Sequence, residues 1–208
     1  MEESWRNQLN NNLNSKIIGQ FLYTIGIISV LAFIFLIIFF IGYFQDIPSI
    51  IFFGPLNDIF GSLEAILSAV LATVLFFSNS KRWIWLNLIG VALSWTGAFI
   101  VTLDSLMAGG IIPNNTGAIL SIKYAFPLLL TTHDIHFGFG FIGVWLVIIV
   151  VQAFQSKAWP KHLTGMGFFT GIIMIFGFAG NSPLGFVILY PIWCILLGRY
   201  TFKSVHKG

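Results

Sequence analysis

Long runs of apolar residues, separated by short polar stretches, dominate the chain between residues 17 and 202. A helix of about 20 apolar residues crosses the hydrocarbon core of a membrane. A membrane β-barrel would instead alternate polar and apolar residues, whereas residues 25–41 are almost continuously apolar. The pattern therefore predicts an all-α, polytopic membrane protein. We place a bundle of six transmembrane helices at residues 17–43, 59–77, 83–106, 132–154, 164–180 and 183–200.

Polar segments complete the predicted organisation. Residues 1–16 are polar and rich in asparagine, so we interpret them as a mobile cytoplasmic tail. Residues 203–208 form a second tail after the transmembrane domain at 17–202. The connection at 107–131 contains glycines, prolines and Lys123, and a connection of about this length usually has a role. We interpret it as an outer lid or a re-entrant segment, with a seventh short span as the alternative.

Local signals mark several helix boundaries. Thr164 is a predicted N-cap for the fifth span, and Ser182 followed by Pro183 has the pattern of a helix start. Thr131 with Asp134 three residues later predicts a capping box for the fourth span. Pro191 predicts a kink in the sixth span, because proline removes a backbone hydrogen bond.

The distribution of charge sets the predicted orientation. Only 8% of the residues are charged, and the net charge is +3. The positive-inside rule counts Lys and Arg in short loops. In a six-span arrangement the basic clusters fall on one side, at Arg6 and Lys16, Lys81 and Arg82, Lys157 and Lys161, and Arg199 and Lys203. This places both termini in the cytoplasm, and we expect the protein in the cell (plasma) membrane.

Composition also excludes some chemistry. The basic residues serve topology, so no nucleic-acid partner is expected, and the absence of Rossmann and P-loop glycine motifs argues against a nucleotide. The single cysteine, Cys194, allows neither a disulfide within the chain nor a cysteine-based metal site. We interpret Cys194 as a small core residue.

Glu64 is the leading candidate for a functional residue, because an ionisable side chain inside a span is costly and is usually functional. It lies in a stripe with Asn57, Gly61, Ser68 and Ala72 at spacings of three and four, which gives one small, polar helix face. That face should point into the bundle. The alternative role for Glu64 is structural, as a hydrogen-bonding group between helices.

Other candidates lie in the same outer half. Asp104 near the end of the third span opposes the helix dipole, so it needs a partner or a function. His133 and His136 share a face at the start of the fourth span. They could bind one divalent metal ion if Asp58, Glu64 or Asp104 supplied a third ligand. The alternative is that the histidines lie at the membrane interface and Asp134 caps the helix.

Together these residues predict an outward-facing pocket with aromatic walls. The predicted catalytic residues are Glu64, Asp104 and His136, and the predicted metal ligands are His133 and His136. The predicted ligand-binding residues are Asp58, Ser68, Asn181, Tyr190 and Trp193.

Three classes of function remain open. The first is an enzyme or binder that acts on a lipid or lipophilic small molecule by acid/base or metal-assisted chemistry. The second is an accessory or assembly subunit that binds other membrane proteins or a second copy of itself. The third is a proton- or cation-coupled transporter or channel. The aromatic residues and the outer segment 107–131 favour the first class.

Overall fold

A computed structural model describes the backbone of residues 2–78, 83–108, 134–180 and 184–205, and the side chains of 15–50, 52–77, 83–107, 138–177 and 184–202. All regular structure in these ranges is helical. The helices are α1 (Glu2–Phe44), α2 (Pro48–Ile51), α3 (Phe53–Ser78), α4 (Ile84–Ala108), α5 (Asp134–Ser156), α6 (Lys161–Gly180) and α7 (Tyr190–Val205), with a π-helical turn at Gly185–Leu189 before α7. The all-α prediction is confirmed.

Five segments in the described part of the chain are long and apolar enough to cross a membrane. They are Ser15–Phe44, Pro48–Phe77, Ile84–Met107, Gly138–Ser156 and Gly185–Phe202. This is the architecture of a multi-pass integral membrane protein. Helix α6 lies where the fifth span is predicted but is not one of these five, so the count of six spans stays a prediction.

Some helix boundaries differ from the predicted ones. Helix α1 begins at Glu2, so the backbone of the predicted polar tail is largely helical. No glycine or proline occurs before Gly19, and a helix that has nucleated propagates easily through such a sequence. Helix α3 begins at Phe53 rather than at residue 59, because Pro55 falls in its first turn, where proline is tolerated.

The fifth predicted span also starts earlier than expected. Helix α6 begins at Lys161, directly after Pro160. The hydroxyl group of Thr164 donates to the Pro160 carbonyl at 3.0 Å, as the backbone N–H of Thr164 also does. The predicted N-cap role of Thr164 is therefore wrong, because its side chain bonds backward within the first turn.

Two residues with left-handed backbone conformations end the helices that precede short turns. Asp46 has φ 54° and Lys157 has φ 55°. After α1 the Ile47 N–H donates to the Gly42 carbonyl at 2.9 Å, a bond typical of a Schellman helix end. An equivalent bond follows α5. These turns allow α1 and α5 to be followed closely by α2 and α6.

The long helices form a closed ring in the order α1, α3, α4, α5, α6, α7, with α7 packed back against α1. Paired glycines bring two of these interfaces close together. A Cβ atom on Gly97 of α4 would overlap the Gly138 carbonyl of α5, and one on Gly143 would lie 2.9 Å from the Gly171 carbonyl of α6. Small residues of this kind allow close helix packing in membranes.

The start of α7 contains the irregularity that Pro191 predicts. The Tyr190 N–H donates to the Gly185 carbonyl, one residue further back than in an α-helix. The π-helical turn lies immediately before Pro191, whose missing N–H leaves a gap in the helical hydrogen-bond ladder. The predicted helix start at Ser182 and Pro183 lies outside the described residues.

Candidate functional site

A cavity of about 250 Å³ lies inside the ring of helices. Helices α1, α3 and α5 and the π-helical turn all contribute to its wall. The polar lining residues are Ser29, Asn57, Asp58 and Glu64, and the remainder are Ala32, Phe33, Leu36, Phe40, Gly61, Phe139, Phe186 and Val187. The lining is thus mainly aromatic and aliphatic, with its polar groups contributed by α1 and α3.

Glu64 occupies the most enclosed polar position in this cavity. Its side chain is only 3% exposed, and its Oε1 atom is buried without a hydrogen-bond partner among the described residues. In the predicted stripe Gly61, Ser68 and Ala72 are also buried, whereas Asn57 is half-buried. A carboxyl oxygen that is removed from water and has no partner costs free energy. This atom therefore needs a further partner.

Ser29 on α1 is a neighbour of this carboxyl group, and its hydroxyl lies within hydrogen-bonding reach of Glu64. The same hydroxyl lies 2.8 Å from the Ile25 carbonyl oxygen, to which it donates. Since a hydroxyl group carries a single proton, Ser29 cannot donate to both acceptors at once. Ser29 therefore leaves much of the hydrogen-bonding capacity of Glu64 unused.

A second layer of hydrogen bonds holds this part of α3 in place. The Ser68 hydroxyl donates to the backbone carbonyl of Glu64 at 2.7 Å and lies 2.8 Å from the Tyr190 hydroxyl. Both residues are fully buried. Neither lines the cavity, so the predicted ligand-binding residues Ser68 and Tyr190 join α3 to α7 next to it.

Asp58 lies on the cavity wall together with Glu64. Its carboxylate accepts a hydrogen bond of 3.3 Å from the Asn57 side chain, and its backbone carbonyl accepts one of 2.9 Å from Ser105 of α4. Asp58 is half-buried. It therefore lies nearer the rim of the cavity than Glu64 does.

Two other predicted residues lie away from the cavity. Asp104 is a half-buried residue of α4 and is not part of the lining. Trp193 is buried elsewhere, where its indole N–H donates to the Leu163 carbonyl at 3.0 Å and its ring packs edge-on against Trp159. Trp193 thus packs α7 against the start of α6 and joins them by a hydrogen bond.

The structure does not test the predicted metal site. His133 and Asn181 lie outside the described residues, as does most of the segment 107–131, and for His136 only the helical backbone is described. Elsewhere in the described chain, no group of three or more His, Cys, Asp or Glu side chains is placed to hold a metal ion. The pair His133 and His136 therefore stays a prediction.

The sequence analysis did not identify several residues of the wall. Ser29 is an isolated polar residue in the apolar α1, and its spacing to a buried carboxyl group on another helix is not visible in the sequence. Phe139 and Phe186 stack at 4.2 Å with nearly parallel rings. Their stacking joins α5 to the π-helical turn and closes one side of the cavity.

The described residues define a multi-pass membrane protein with a mainly apolar cavity and, among their side chains, one deeply buried carboxyl group. Comparison of the chain with protein-family models, with curated proteins and with solved structures gave no match.

Proposed function

We propose that this protein binds a small lipophilic molecule, or the head of a longer lipid, in the cavity, and that Glu64 receives a hydrogen-bond donor or a proton from the polar end of that molecule. The observation that carries the proposal is the buried Oε1 atom of Glu64, which has no hydrogen-bond partner in the part of the chain that the structure describes. Ligand pockets commonly combine apolar walls with a few polar groups that fix orientation. Glu64 is such a group in this cavity.

The chemistry of the wall restricts the ligand. Phe33, Leu36 and Phe186 favour a hydrocarbon body. The free lone pairs of Glu64 favour a hydroxyl or amine group rather than another acceptor. The volume of the cavity, about 250 Å³, is slightly below the range of about 300–1,000 Å³ that is common for ligand pockets. A short amphiphile therefore fits better than a complete two-chain phospholipid.

The proposed topology places this ligand in the outer half of the membrane. In the six-span arrangement with both termini in the cytoplasm of a plasma membrane, the end of α1 and the start of α3 face outward. Phe40 and Asp58 lie near these ends and line the cavity. The ligand would then reach the cavity from the outer leaflet or from outside.

Glu64 can take part in acid/base chemistry as well as in binding, because a carboxyl group can accept a proton from a bound alcohol or amine. Of the predicted catalytic residues Glu64 and Asp104, Glu64 lines the cavity and Asp104 does not. A metal-assisted version would require the His133 and His136 pair.

Binding of octanol, octylamine and octane to the detergent-purified full chain tests the proposal. These probes share one hydrocarbon body and differ only at the polar end. We expect octanol or octylamine, but not octane, to raise the thermal stability of the protein, because a ligand stabilises the state that it binds. Glu64→Met should remove this preference for a polar end.

Two further variants make the result specific. Asp46→Asn alters an exposed carboxyl group in a turn and should leave the preference intact. Ala32→Leu should reduce binding of octanol and octylamine by filling the cavity. Equal binding of octanol by wild type and Glu64→Met, or no binding of any probe, would contradict the proposal.

A further inference from the structure

A second cavity lies at the opposite end of the bundle, where α5 ends and α6 begins. Its volume is about 420 Å³. The lining residues are Val150, Val151, Phe154, Gln155, Lys161, Thr164, Gly165 and Phe168. We call this cavity the α5–α6 groove. It shares no residue with the cavity at Glu64.

The body of the α5–α6 groove is apolar and continuous with the outer surface of the bundle. Val151, Phe154 and Phe168 are 39%, 60% and 45% exposed, so they face lipid in a membrane. Gly165 leaves a gap between them, since a Cβ atom there would meet no atom within 4 Å. A flexible hydrocarbon chain can occupy such a gap.

One end of the groove is positively charged. Lys161 lines it and is the first residue of α6, where the free N–H groups of a helix start also favour an anion. Lys157 and His162 lie close by in the sequence. No Asp or Glu occurs after Asp134, so α6, α7 and all of α5 beyond its first residue contribute no acidic side chain that could neutralise these charges.

From this combination we infer that the α5–α6 groove binds an anionic phospholipid. The phosphate lies at Lys161 with the Gln155 amide beside it, and one acyl chain lies along Val151, Phe154 and Phe168. Basic pockets between membrane helices on the cytoplasmic side commonly hold anionic headgroups. The positive-inside prediction places Lys161 on that side. The inference is independent of any ligand at Glu64.

Native mass spectrometry of the detergent-purified full chain, titrated with phosphatidylglycerol or with phosphatidylcholine of the same acyl chains, tests the inference. Wild type should bind phosphatidylglycerol more tightly. Lys161→Gln should weaken phosphatidylglycerol binding by about fivefold, the effect of about 1 kcal/mol per basic residue near a membrane surface. Gly165→Leu should reduce binding of both lipids, because its side chain fills the groove.

Lys157→Gln is the matched control, since Lys157 carries the same charge near the groove but does not line it. If this variant loses as much phosphatidylglycerol as Lys161→Gln, the attraction is diffuse and the inference is wrong. Unchanged binding by Gly165→Leu also overturns it. Val151→Trp occludes the opposite wall and replaces Gly165→Leu if that variant does not fold.

Inorganic phosphate separates a lipid site from a simple phosphate site. We expect excess inorganic phosphate to leave phosphatidylglycerol bound, because the acyl chain supplies part of the affinity. Complete displacement by phosphate at concentrations comparable to the lipid would show that only the headgroup is recognised.

Discussion

The Tyr190 hydroxyl lies 2.8 Å from the Ser68 hydroxyl, a contact that joins α7 to α3 beside the buried carboxyl group. The Ser68 hydroxyl also donates its single proton to the backbone carbonyl of Glu64. Tyr190 must therefore be the donor to Ser68 when both hydrogen bonds form. Tyr190 follows the π-helical turn directly. The irregular start of α7 is therefore linked through two successive hydrogen bonds, by way of Ser68, to the backbone of the residue that bears the candidate function.

We predict an asymmetric effect when this bond is removed. Tyr190→Phe leaves Ser68 bonded to the Glu64 carbonyl and should cost about 0.5–1.5 kcal/mol of stability. Ser68→Ala should cost more, because it leaves the buried Tyr190 hydroxyl without Ser68 as its acceptor. Unfolding of both single variants and the double variant in mixed micelles gives the coupling between them.

A tyrosine near the end of the same helix serves as a control for this cycle. Tyr200 is 37% exposed, so Tyr200→Phe should change stability little. Strictly additive effects of Tyr190→Phe and Ser68→Ala would show that the hydrogen bond contributes nothing measurable.

Glu64 gives a prediction that separates a functional role from a structural one. If its carboxyl group serves a ligand, Glu64→Met should raise the thermal stability of the ligand-free protein, because an unpartnered buried polar atom is replaced by an apolar side chain. If Glu64 instead holds helices together, the same variant should be less stable than wild type. Thermal unfolding after removal of bound lipids distinguishes these outcomes, with Asp46→Asn as the reference.

The helix face around Glu64 could be predicted from sequence for a physical reason. Lipid excludes polar groups, so a stripe with Gly61, Glu64 and Ser68 at helical spacing has to turn inward. The structure buries all three. The same argument from the lipid solvent located the apolar helices, although some of them begin several residues before the predicted position, as at Phe53 and Lys161.

The other residues of the cavity wall could not be predicted from the sequence, because they come together only through packing between segments that are distant in the chain. Ser29 gives no signal in the sequence, since a serine in an apolar helix commonly bonds to the carbonyl four residues earlier, as Ser29 does. Trp193 lies three residues after Tyr190, which predicts a shared face. The spacing does not show how deep the cavity extends, and Trp193 lies beyond it, against Leu163.

The glycine pair between α5 and α6 should be sensitive to added volume. A Cβ atom on Gly143 would lie 2.7 Å from the Met174 Cβ and 2.9 Å from the Gly171 carbonyl, where rigid backbone cannot give way. We expect Gly143→Ala to destabilise the protein by about 1–3 kcal/mol. Gly165→Ala is the matched control, because its Cβ meets open space and alanine favours a helix. Equal stabilities would show that α5 and α6 do not pack this closely.

The number of spans can be tested with cysteines introduced into oriented membranes. The native Cys194 is fully buried, so the unaltered chain should react little with a membrane-impermeant maleimide and provides the background. We expect Asp46→Cys to be labelled from the outside, and Lys157→Cys and Lys203→Cys only after the membrane is permeabilised. This pattern follows from the positive-inside orientation.

Comparing the labelling of Lys157→Cys with that of Lys203→Cys shows whether α6 crosses the membrane. Two crossings, by α6 and then by α7, return the chain to its starting side, so both positions would be labelled from the same side. If α6 lay along the membrane surface and only α7 crossed, Lys203→Cys would be labelled from the side opposite to Lys157→Cys. That result would exclude the six-span arrangement and, with it, the proposed cytoplasmic position of both termini.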